Sequence, residues 1–218
     1  MSDGQMIRSA DNAPDHGCGP LGKTAHAVLA ENLGGAPEEP ALLLCHNTMP
    51  DPPFPMVGYI GTDYGAGQWA ACGQDFTLFL GAMAQGLRGT EAPPPGSFGP
   101  EHHRLQRMLR HDAAALCFQA HAMAPEADPA AAALVANLSE GLLHPGDLEA
   151  SPGARVVTVV WAADRADRGV IAFVPAGGDA DGIEVVGVAA AGDDVILAGL
   201  AEVARAQYDW TRKAFGLG

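Results

Sequence analysis

The 218-residue chain is predicted to fold as an α+β domain, with an antiparallel sheet packed against a helical middle and a C-terminal helix. Three observations predict this. Two short apolar runs lie close together at 41–48 and 56–62. The middle of the chain shows helical spacing of its apolar residues. After residue 155 come three β-rich runs separated by polar turns, then one amphipathic helix.

Taken in order, residues 1–20 read as a flexible N-terminal arm rich in Gly, Asp and Pro, and residues 21–218 as a single domain. A short helix is expected over 22–33, stopped by Gly34-Gly35. ALLLCHNT (41–48) follows Pro40 and reads as a buried strand. The prolines at 50, 52, 53 and 55 force an extended loop, because each fixes φ and removes a donor. MVGYIGT (56–62) then forms the second strand of a hairpin.

From Gln68 to Leu87, the residues Trp69, Cys72, Phe76, Leu80, Met83 and Leu87 make one helical stripe. A proline-rich loop at 92–100 ends it. A second helix is expected from Pro100 to about Met123, and a third from Asp128-Pro129 to Leu143. RVVTVVWA (155–162), GVIAFVP (169–175) and IEVVGVAA (183–190) read as a meander. Asp193-Asp194 starts a last helix that runs to Phe215, with Arg212 and Lys213 suiting its C-terminal dipole.

Charge narrows the partners. Lys and Arg total 12 against 26 Asp and Glu, so the formal charge is −14. A field of that sign repels phosphate backbones and anionic membranes, so neither nucleic acid nor membrane is expected as a partner. Arg104, Arg107 and Arg110 fall at helical spacing and read as a solvated face. The polar N-terminus lacks a secretory pattern. Cys18, Cys45, Cys72 and Cys117 form no metal-binding pair. The expected location is therefore the cytoplasm, with free thiols. The partner, whether small molecule or protein, and the oligomeric state are not readable.

Gly17-Cys18-Gly19-Pro20-Leu21-Gly22-Lys23-Thr24 fits GxxxxGK[ST] and resembles the phosphate loop of P-loop nucleotide hydrolases. The resemblance implies a phosphate-binding Lys23 and a Mg²⁺-binding Thr24. No apolar strand precedes the motif, and no acidic motif ends the next strand, so nucleotide binding ranks last. His102, His103, His111 and His121 share one predicted helix, and no two of them have the i,i+3 or i,i+4 spacing a metal needs. The acids in Gly177–Glu184 lack the calcium-loop pattern and read as a turn. No cofactor and no metal are assigned.

The polar and aromatic residues concentrate between Cys45 and Asp75. Two readings follow. In the favoured one, the protein is a non-catalytic small-ligand or protein-binding (accessory) domain, whose cleft uses Asn47, Tyr59, Tyr64 and Trp69 as ligand-binding residues. In the alternative, it is a hydrolase or group-transfer enzyme using Cys45 or a nearby histidine, with His46 and Asp63 as further catalytic candidates. Cys45 and His46 are adjacent on a strand and point to opposite faces. A base for the thiol must therefore come from elsewhere, such as His26, His121 or His144.

Overall fold

Six consecutive residues, Ala113–Phe118, are buried in a strand where the sequence predicts a helix. The strand is β4 (Ala113–Ala122), which pairs antiparallel with β2 (Ala41–His46) on one side and β5 (Arg155–Asp164) on the other. Ala and Leu give AAALCF a helix propensity that favours the expected helix. Both faces of this central strand are covered, so its pattern is a continuous apolar run and not an alternation. Pairing on two edges and burial on two faces outweigh propensities of under ~1 kcal/mol per residue.

The computed structural model describes residues 8–35, 39–46, 57–62, 67–92, 111–122 and 153–216, with isolated positions 94, 132, 133, 147, 150 and 151. Most of the helix predicted over 128–143 and the first half of that over 100–123 lie outside the described residues. So do the prolines at 50–55 and Arg104, Arg107 and Arg110.

The rest of the sheet follows the expected plan. β2 and β3 (Gly58–Gly61) form the N-terminal hairpin. β4, β5, β6 (Gly169–Pro175) and β7 (Glu184–Val188) form the meander, and β4 welds the two into one sheet. The order is β1-β3-β2-β4-β5-β6-β7, antiparallel throughout. β1 (Arg8–Ser9) lies within the N-terminal arm expected over 1–20. It pairs with β3, Ala10 N–H donates to the Val57 carbonyl, and the Asp11 carboxylate accepts from Val57 N–H at 2.7 Å.

Strand alternation sorts the core into two layers. Leu43, Cys45, Ala113, Ala115, Cys117, Val160, Ala162 and Ala172 face α1 (Gly19–Glu31), which returns Leu21, Ala25, Val28 and Leu29 at helical spacing. Alanines on the sheet let this helix lie close. On the other face, Leu42, Leu44, Ala114, Leu116, Phe118 and Val159 meet α3 (Phe76–Gly89) and α4 (Val195–Ala214).

The single helix expected over 68–87 is two: α2 (Gln68–Ala71) and α3. Gly73 and Gln74 both take positive φ, which ends α2, and the Asp75 carboxylate then caps α3 by accepting from Leu78 N–H. Asp194 caps α4 more fully, accepting from Ile196 N–H at 2.8 Å and Leu197 N–H at 3.0 Å. Asp194→Ala is expected to cost about 1 kcal/mol in a urea melt, and Asp194→Asn much less, because asparagine caps almost as well.

Candidate functional site

Cys45 lies in β2 beneath α1 with no exposed surface, and its Sγ lies 4.0 Å from the Leu43 carbonyl. Burial, with the Asp112 charge second, pushes its pKa far above the ordinary thiol range. A thiol held protonated in the core is a poor nucleophile. Cys117 on β4 shares that layer, and burial pushes it up to about 12. All four cysteines are free.

Among the described residues, no histidine hydrogen-bonds to Cys45. His46 points the other way and stacks on His111, with ring centroids 4.1 Å apart. Both rings are buried. His26 stacks instead on His16. His111 was expected within a helix. It is placed by the β2–β4 pairing, because Cys45 stands opposite Ala113. The one signal for it in the sequence is its position two residues before a continuous apolar run, with Asp112 between.

Two of the expected ligand-binding aromatics belong to the core. Tyr59 on β3 is buried in the α1 layer. Burial and the neighbouring Glu31 carboxylate raise its pKa, and Arg8 pairs with that same carboxylate. Trp69 packs on Phe76 at 4.6 Å and edge-on against Phe79 at 5.7 Å. It anchors α2 to α3 and is half-buried. Asn47, Asp63 and Tyr64 lie outside the described residues.

The Gly17–Thr24 loop does start a helix, with Gly17 and Gly19 at positive φ. Its polar groups are nevertheless committed to main chain. Lys23 Nζ donates to the Asp11 carbonyl at 3.0 Å, and the buried Thr24 hydroxyl donates to the Pro20 carbonyl at 3.0 Å. The strand preceding it is the two-residue edge strand β1 of an antiparallel sheet.

Among the described residues, cavities open on both faces of the sheet. The wider, about 390 Å³, is a groove on the α1 face between the start of α1 (Cys18, Pro20) and the end of β7 (Gly187, Val188), with Arg168 at its side. That arginine is engaged: its Nε donates to the buried Asp164 carboxylate at 2.7 Å. The second cavity, about 220 Å³, lies on the α3–α4 face. Leu42 and Leu44 of β2, Met83 of α3 and Val203 of α4 are its buried apolar lining. Gln68, Gly86 and Thr90 are exposed lining residues and form its rim. A Cβ built on Gly86 meets nothing within 4 Å, so protein packing does not account for that glycine in a helix interior.

Among the described residues no group of three His, Cys, Asp or Glu side chains is placed to hold a metal. None of their helices is long and apolar enough to cross a membrane. No protein family, curated protein or solved structure matches the chain.

Proposed function

We propose that the protein is a non-catalytic small-ligand-binding domain, and that its ligand sits in the cavity between β2, α3 and α4. One observation carries the reading: a buried apolar floor of Leu42, Leu44, Met83 and Val203 under an exposed rim with Gln68 and Thr90. Ligand sites combine such a floor with a few polar groups that fix orientation. The sealed Cys45 supports binding over thiol chemistry. The wider groove on the other face is less suited, because Arg168 at its side is already bonded within the protein.

Size sets the ligand class. An apolar cavity of roughly 150 Å³ holds a benzene ring. A cavity of about 220 Å³ therefore suits one ring with a substituent, or a short acyl chain. Burying roughly 150 Å² of such a ligand yields about 4 kcal/mol, which alone means millimolar affinity. Tighter binding requires a polar head at the rim, where the Gln68 amide both donates and accepts. The class is thus a small apolar molecule with one hydrogen-bonding group.

Toluene and 1-hexanol are the probes, read by methyl NMR and thermal melts. Saturable shifts are expected at Leu42, Leu44, Met83 and Val203. Gly86→Ala should raise stability by about 1 kcal/mol, since alanine favours the helix and its Cβ meets open space. Gly86→Leu should fill the cavity and abolish the shifts in a folded protein. Methyls that stay unmoved up to the probes' solubility would defeat the proposal.

A further inference from the structure

We infer that the outer edge of β7 is a pairing surface for a second copy of this chain, the two β7 strands running antiparallel about a two-fold axis at Val186.

The sheet has two edges, and only one is blunted. β1 is two residues long, and its Arg8 is held by Glu31. β7 is five residues, EVVGV, paired with β6 on one side and, among the described residues, with no strand on the other. Exposed edges are normally protected by lysine, proline or a bulge. β7 has neither residue, and its register against β6 runs unbroken from Glu184 to Val188. Val186, at its centre, is 50 % exposed. It continues a cross-strand row through Ile171 to Trp161, so the apolar surface runs up to the edge.

Charge and shape select a second copy. A chain of net charge −14 resists its own approach, yet between Ile183 and Gly192 the only ionisable residue is Glu184. Two-fold pairing about Val186 sets Glu184 opposite Val188 of the other copy. The two carboxylates then lie four strand positions apart, about 13 Å along the strands, beyond the ~8 Å screening length at physiological salt. A parallel pairing would put them side by side. On the α1 face the same axis sets Val185 of each copy opposite Gly187 of the other. Gly187 carries no side chain of its own and lines the wall of the 390 Å³ groove, while Cys18 Sγ would lie 3.3 Å from a Cβ built there, so the space beside the incoming valine is shared between the groove and that thiol. Large meets small at both such positions, and Val186 meets Val186 on the axis.

The test is sedimentation equilibrium of the full chain across micromolar to millimolar concentration. The expected result is a mass rising from 22.4 kDa toward twice that value. Val186→Lys places two like charges opposite each other on the axis and should weaken association at least about tenfold. Val186→Thr, which keeps the branched shape and adds no charge, should retain it. Thermal melts of both variants establish that they fold. A wild-type chain that stays monomeric throughout overturns the inference, including where a short extended peptide pairs at β7 instead. A dimer that folded Val186→Lys leaves intact overturns it equally, because the interface then lies elsewhere.

Discussion

Lowering the pH from about 7.5 to about 5 is expected to destabilise the fold steeply, with His111 the main cause. Its ring is 2 % exposed and stacked on the buried His46, and among the described residues its Nδ1 has no hydrogen-bond partner. Burial, then the charge of His46, holds its pKa well below the ordinary value near 6.5. The sign follows from linkage. Between the folded and unfolded pKa values, only the unfolded chain takes up the proton. Stability is therefore fully present above about pH 6.5 and falls by up to about 1.4 kcal/mol per pH unit below it. His26 adds to the loss with the same sign, since burial and His16 lower its pKa too. Glu202, depressed by Arg88 and Arg205, is lost only at lower pH, below the ordinary glutamate range, so its window is separate. His111→Phe keeps a ring beside His46 and removes the titrating nitrogens. Urea midpoints measured from pH 7.5 to 5 should fall far less for this variant than for wild type. Equal falls would assign the acid sensitivity to other groups.

The same pair marks where the sequence stops being legible. β2, β3 and the meander are local signals: apolar runs bounded by Pro, Gly and Asp. They read correctly because turn chemistry and alternation act over a few residues. The Asp194 cap of α4 is local for the same reason. β4 is not. Whether AAALCF becomes helix or strand depends on a free edge waiting on both β2 and β5, which no window of the chain contains. The His46–His111 stack inherits that blindness. The break between α2 and α3 was readable in principle, since Asp75 precedes Phe76 as a cap should, but the apolar stripe ran through it and concealed the stop. For Cys45, the opposed direction of His46 was legible from strand geometry and its burial from the apolar run that holds it, while the covering of that face by α1 was not. The cavity is harder still. Leu42, Leu44 and Met83 could each be read as inward-facing, but a gap between them is what remains after packing, and no residue encodes it alone.

Gly199→Ala is expected to destabilise the protein by about 1–2 kcal/mol, although the substitution favours helix. Gly199 lies on α4 where α3 crosses it. A Cβ there would stand 2.7 Å from Leu80 Cδ1 and 2.9 Å from Leu80 Cβ, against the ~3.5–4.0 Å of a relaxed carbon contact. The Cδ1 belongs to a flexible side chain and can swing, but Leu80 is fully buried among well-packed neighbours. The Cβ is fixed to the α3 backbone, so relief requires the two helices to part. Overpacking of this kind costs roughly 1–3 kcal/mol, and the propensity gain returns at most about 1. The comparison with Gly86→Ala is the controlled one, because the same chemical change in two helices should have opposite signs. Leu80→Ala removes Cδ1 but not Cβ. The double variant should therefore show a coupling of at least ~0.5 kcal/mol while part of the Gly199→Ala penalty persists. Parting α3 from α4 would also move Met83 away from Val203, and both line the cavity. Toluene binding should therefore weaken in Gly199→Ala even though residue 199 does not line the site. That outcome would tie the close approach of the two helices to the shape of the proposed ligand seat. Unchanged binding in a destabilised Gly199→Ala would show that the floor is set by β2 and α3 alone.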